Sequence, residues 1–137
     1  MAKINMKTNL NVAADEVWKL IGGFNTLPDW HPAIEKSELE EDGRMRRLSL
    51  TGGGTVVEKL ERLDDSERVY TYSIIDSPLP VSNYTATICV KEDGEGKTTV
   101  EWSSEFKAEG AAENEAMDVI TGIYQVGFDN LKKMFGG

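Results

Sequence analysis

The stretch Thr98-Thr99-Val100-Glu101-Trp102-Ser103-Ser104-Glu105-Phe106-Lys107 decides the fold. Val100, Trp102, Ser104 and Phe106 share one parity, and Glu101, Ser103, Glu105 and Lys107 share the other. Side chains alternate across a strand, so the segment predicts one inward and one solvated face, the pattern of an antiparallel sheet covered on a single side. Directly after it the period changes. From Ala111 to Phe135 the residues Ala112, Ala116, Val119, Ile120, Ile123, Gly127, Leu131 and Met134 recur at helical spacing. Such a helix would be about 37 Å long at ~1.5 Å per residue, enough to cross a whole sheet.

Working back toward the N-terminus, Tyr84, Ala86, Ile88 and Val90 share one face of a strand opposite Thr85, Thr87 and Lys91. Tyr70, Tyr72 and Ile74 alternate with Val69, Thr71, Ser73 and Ile75 in another. Further strands are expected over Thr55 to Leu63, Arg44 to Leu50 and Ile34 to Glu41, with Asp42-Gly43 as a hairpin signal. Ile4, Met6 and Thr8 mark a first strand. Val17, Leu20 and Ile21 mark a helix that Gly22-Gly23 should stop, and Phe24 to Leu27 is expected to add one helical turn before Pro28. Two short N-terminal helices, about six strands and one long terminal helix make an α+β domain. Such a helix must cover the apolar face of the sheet. Residues 1–137 are expected to form one domain.

Composition excludes several functions. Lys plus Arg is 15 and Asp plus Glu is 24, giving a net charge of −9. The only dense basic cluster is Arg44, Arg46 and Arg47, so no nucleic-acid partner is expected. One cysteine, Cys89, and one histidine, His31, give no disulfide and no ordinary metal site. No metal and no cofactor are expected. Apolar runs are too short for membrane insertion, and the N-terminus lacks an apolar signal core, so a cytoplasmic protein is expected.

Several local strings resemble a known superfamily: Glu16-Val17-Trp18, Trp30-His31-Pro32, Tyr72-Ser73-Ile74, Pro78-Leu79-Pro80 with Asn83-Tyr84, and Glu101-Trp102. In this order they resemble the SRPBCC superfamily, in its bacterial polyketide cyclase/dehydrase-like branch. That superfamily includes START lipid-transfer domains, the birch-pollen allergen group and plant abscisic acid receptors. The resemblance implies a helix-grip fold, a curved antiparallel sheet of about seven strands wrapped around the C-terminal helix with a ligand cavity between them. It also implies a site. Carried over by position, Trp30, His31, Tyr72, Ile74, Tyr84, Ala86, Trp102, Ser104 and Phe106 would line the cavity from the sheet side. Val119, Ile120, Ile123 and Gly127 would line it from the helix. Two loops would border the mouth: Thr51-Gly52-Gly53-Gly54, and Ser77 with Pro78, Leu79 and Pro80. The hormone-pairing lysine of the plant receptors falls near Glu35, so the hormone carboxylate would be repelled.

The residues themselves leave alternatives open. Tyr72, Tyr84, Trp102 and Phe106 suit either a pocket for an apolar, partly oxygenated ligand or a filled core. His31 is the one group titrating near neutrality and the candidate general acid or base, with a structural brace before Pro32 as the plain alternative. Arg46 and Arg47 point to opposite faces, so one of them would enter the cavity. Glu101 and Glu105 should be solvated. Binding or transport of a small hydrophobic molecule of the polyketide, lipid or isoprenoid class is expected first. A cyclase or aromatase using His31, Tyr72 and Tyr84 is the second reading. An accessory module for a dehydrogenase, possible as a homodimer, is the third.

Overall fold

A computed structural model describes residues 1–136. The element order is β1 (Ala2–Leu10), α1 (Ala14–Ile21), α2 (Leu27–Trp30), β2 (Ile34–Glu40), β3 (Met45–Leu50), β4 (Thr55–Asp64), β5 (Val69–Asp76), β6 (Val81–Glu92), β7 (Thr98–Ala108) and α3 (Glu113–Phe135). The strands form one seven-stranded sheet in the order β1-β7-β6-β5-β4-β3-β2, with every neighbouring pair antiparallel. This is the expected helix-grip arrangement, with α3 laid along the inner face.

The alternation in β7 is realised as it reads: Val100, Trp102, Ser104 and Phe106 are buried, while Glu105 and Lys107 are exposed. Lys3 pairs with Glu105, and Lys7 and Lys91 both meet Glu101 on the outer face. Irregularities bend the sheet. The register slips between Ser82 and Thr85, where Asn83 has φ of 52°, and between Leu60 and Arg62. Bulges of this kind sharpen the local twist and let a sheet curl around a helix.

Two local bounds are corrected, and the expected stop at Gly22 holds for a reason of space. The helical turn lies at Leu27–Trp30, not Phe24 to Leu27. Pro28 falls in its first turn, where a missing N–H costs no helical hydrogen bond. Gly22 ends α1 with φ of −70°, so left-handed geometry is not its purpose. Space is: a Cβ there would run into the Trp18 ring, which leans over the helix end while its Nε1 donates to Asp65. The long helix begins at Glu113 rather than Ala111, with Glu113 and Glu115 in its first turn and Lys132 and Lys133 in its last. Both ends suit the helix dipole.

The face that α3 presents to the sheet is Ala116, Ile120, Tyr124, Gly127, Phe128 and Leu131. Val119, expected inward, is 40% exposed, and Met134 is exposed as well. One residue is 100° of rotation on a helix, so the stripe through Ile120, Tyr124 and Phe128 leaves Val119 on the flank. No helix among the described residues is long and apolar enough to cross a membrane.

Candidate functional site

The inner face of the sheet and α3 enclose a small cavity of about 60 Å³. Its walls are aliphatic side chains of α2, β2, β3, β4 and α3, with Tyr72, Tyr84, Trp102 and Tyr124 at one side. Half-buried Leu50, Ile74, Leu79 and Ile123 form its mouth. Two larger depressions, about 430 and 580 Å³, lie on the outer surface and are open to solvent.

The expected residues separate into three groups. His31, Tyr72, Ile74, Tyr84, Trp102, Ile120 and Ile123 line this cavity, together with Leu79 of the proline loop. Trp30, Ala86, Ser104, Phe106 and Gly127 are buried but pack outside the lining. Gly52, Gly53, Pro78 and Pro80 stand away from it at the rim, and Val119 is on the outer surface. The two loops approach each other, since a Cβ on Gly54 would lie 3.7 Å from Pro78 Cγ. All three loop glycines have φ between 90° and 108°, a region side chains avoid, so the tight return from β3 to β4 requires them.

Tyr124 and Glu58 are the functional-looking residues that sequence reasoning missed. The Tyr124 ring stacks on Trp102 at 4.0 Å between centroids, and its hydroxyl makes a short hydrogen bond with that of Tyr84. Tyr84 in turn meets Tyr72 at 3.4 Å, and Trp102 Nε1 donates to the Tyr72 hydroxyl at 3.1 Å. The indole can only donate, so Tyr72 accepts from it and its own proton is free for the next oxygen. Burial raises the pKa of Tyr72, Tyr84 and Tyr124 above the ordinary tyrosine value. All three remain neutral hydroxyls at physiological pH.

Arg46 is the arginine of the basic cluster that turns inward, and it is 1% exposed. It meets Glu58, its direct neighbour in the β3–β4 register. Its Nε donates to Glu58 Oε1 at 2.8 Å and its Nη1 donates to the Phe24 carbonyl at 2.7 Å. The guanidinium lies 4.3 Å from the Phe24 ring centre and 5.2 Å from that of Tyr72. Burial works against the Arg46 charge, but Glu58 and the neighbouring tyrosines outweigh it and keep the group protonated. Burial pushes the Glu58 carboxyl up, against the opposing pull of Arg46. Arg46 is therefore spent on a protein carboxylate rather than presented to a ligand, correcting the expectation that an arginine would reach into the cavity.

His31 occupies the cavity wall with both ring nitrogens engaged. One faces the Ile123 carbonyl at 2.7 Å, and Nδ1 accepts the Ala33 N–H at 3.2 Å. This fixes the neutral tautomer with the proton on Nε2. Burial lowers its pKa, outweighing the bond to Ile123. In this arrangement the imidazole ties the loop before Pro32 to α3, with no lone pair or proton left for a ligand. Glu101 and Glu105 stay on the outer face, and no group of three or more metal-ligating side chains occurs among the described residues.

Comparison with known proteins agrees with this geometry. The protein XoxI from Bacillus cereus is 44% identical, with 98% of this chain and 96% of that chain covered and a TM-score of 0.96. An uncharacterized protein from Bacillus thuringiensis is also 44% identical, covers 98% of both chains and has a TM-score of 0.95. An aromatase/cyclase from a Streptomyces species has a TM-score of 0.78 at 17% identity, over 95% of this chain and 90% of that one, which speaks to the fold alone. A search of curated proteins finds no match. Residues 1–136 match the family model described as polyketide cyclase / dehydrase and lipid transport, and the chain belongs to that family within the SRPBCC superfamily.

Proposed function

We propose that this protein binds a small, largely apolar molecule in the cavity between the sheet and α3, of the polyketide, lipid or isoprenoid class. The observation that carries this reading is the cavity's lining, aliphatic on most sides and polar at Glu58, His31, Trp102 and the tyrosines. At about 60 Å³ it is well below the ~300–1,000 Å³ usual for sites that hold drug-sized ligands. Occupation by anything of that size therefore requires the mouth to open. Leu50, Leu79 and Ile123 are only half-buried, and the loops at 51–54 and 77–80, which approach each other at Gly54 and Pro78, would widen the entrance by moving apart.

Native mass spectrometry of protein isolated from its own host, with solvent extraction of any bound molecule, tests this reading. A reproducible co-purifying apolar compound that Leu79→Trp excludes is the expected result. A protein that carries nothing and takes up no apolar probe would refute it.

A cyclase-type reaction is the second reading, and the joined hydroxyls of Tyr72, Tyr84 and Tyr124 favour it. A linked set of neutral hydroxyls can donate a proton to a carbonyl oxygen held beside it. His31 contributes position rather than proton transfer in this version. Turnover of an identified ketone substrate that survives His31→Gln and fails in Tyr84→Phe is the expected result.

A further inference from the structure

The Arg46–Glu58 pair is satisfied unevenly, and the asymmetry points toward a ligand. Arg46 Nε hydrogen-bonds Glu58 Oε1, and Nη2 approaches that same oxygen at 2.6 Å. Oε2 has no hydrogen bond among the described residues, although the Glu58 side chain is only 8% exposed. Nor is Oε2 among the side-chain polar atoms that are both fully buried and without a partner; among the described residues those are Trp30 Nε1 and Ser104 Oγ. Glu58 lines the cavity. Its second oxygen is thus an unengaged carboxylate acceptor on the chamber wall, where the tyrosine hydroxyls already bond one another and His31 is committed to backbone.

We propose that Glu58 is the polar anchor of the cavity and selects neutral hydroxyl-bearing ligands (alcohols, phenols or enols) by accepting their O–H on Oε2. This rests on the ligand-binding reading above and names the chemistry that reading leaves open. Charge decides among the possible donors. Arg46 and Glu58 together are neutral, so an ammonium ligand would bring an uncompensated positive charge into an apolar chamber beside a guanidinium. A carboxylate ligand would meet Glu58 directly and be repelled. A neutral O–H adds no charge and supplies the missing donor. An oxygen already shared with a cation still leaves a carboxylate free to accept a further charge-assisted bond on its other oxygen.

Three probes of similar shape separate these cases: cyclopentanol, cyclopentyl methyl ether and cyclopentylammonium. Each is titrated into isotope-labelled full-length protein and followed by amide chemical shifts. Cyclopentanol should bind roughly tenfold or more tightly than the ether, the effect expected of a hydrogen bond to a charged acceptor. The ammonium should bind more weakly than the alcohol. In Glu58→Gln the amide oxygen takes over the bond from Arg46 and an N–H faces the cavity. The preference for alcohol over ether should then fall to within about twofold, with affinity for the ether retained. If Glu58→Gln fails to give a dispersed spectrum, the wild-type ratio alone decides. Equal binding of alcohol and ether by the wild type, or tightest binding of the ammonium, overturns the role of Glu58 and leaves the cavity reading intact. Failure of all three probes to bind overturns both.

Discussion

Gly127 and Gly122 lie five positions apart on α3 and should respond to alanine in opposite directions. Alanine is favoured over glycine inside a helix by about 1 kcal/mol, because glycine loses more backbone freedom on folding. Gly122 has nothing within 4 Å of a built Cβ, so Gly122→Ala should realise most of that gain. At Gly127 the same Cβ would sit 2.8 Å from His31 Cδ2, 3.1 Å from Trp30 Cζ3 and 3.3 Å from Trp102 Cζ3. Carbon atoms pack best at about 3.5–4.0 Å. Two of these rings are tied in place. His31 is held by two backbone bonds, and Trp102 by its stack on Tyr124 and its bond to Tyr72. Overpacking of this kind costs about 1–3 kcal/mol. After the propensity gain, Gly127→Ala should show a net loss of up to about 2 kcal/mol while Gly122→Ala gains about 0.5–1 kcal/mol. Urea unfolding followed by far-ultraviolet circular dichroism measures both. If Gly127→Ala equals or exceeds the wild type in stability, the close approach of α3 to the tryptophans is wrong.

Three further outcomes are expected. Arg46→Met strands the Glu58 charge and should cost about 3–5 kcal/mol, whereas Arg46→Met combined with Glu58→Leu should recover most of it; equal losses in the single and double variants would argue against a desolvated pair. His31 is the only histidine, so its Cε1 proton reports one site. Because burial favours the neutral ring, the native midpoint should fall below 6.5, and its contribution to stability should be complete above that pH and decline as pH falls through the interval beneath it. A native midpoint at or above 6.5 would contradict the bonded, neutral ring. All four tyrosines are buried with pKa values raised by desolvation. Absorbance of tyrosinate at alkaline pH should therefore appear together with unfolding; any tyrosine titrating near 10 in the folded protein would contradict the closed cluster.

The strands and the long helix were legible because each buries one face, and burial writes a period of two or of 3.6 into the sequence. The site was only half legible. Tyr124 and Phe128 follow Ile120 at intervals of four, and that spacing was available to be read. A stripe through Val119, Ile120, Ile123 and Gly127 is turned toward the aliphatic residues and leaves out the aromatic Tyr124. The pairing of Arg46 with Glu58 was hidden for a different reason. A single arginine and a single glutamate on neighbouring strands look like surface charges, since such residues are almost never fully buried unless paired. Recognising the pair needs the β3–β4 register, which places Leu48 opposite Val56 and Arg46 opposite Glu58 on the same inner face. The size of the cavity could not be read at all. It depends on how Trp102 and Tyr124 stack and how Leu50 and Leu79 close, and volume of that kind has no signature in residue order.

The pairing of β1 with β7 also sets a timetable for synthesis. Ala2 faces Phe106 and Leu10 faces Thr98, so the first strand made must wait for one of the last. At the usual ~5–20 residues per second, β1 remains without its neighbour for about 5–20 s on each nascent chain. During that interval its backbone is an open template for any other extended segment, including the β1 of a neighbouring ribosome's product. Lys3 and Lys7, exposed on its outer side, place like charges on every copy of this strand, and they find Glu105 and Glu101 only once the correct neighbour arrives. The two lysines thus add like-charge repulsion between unpaired copies of β1 before they serve the finished sheet.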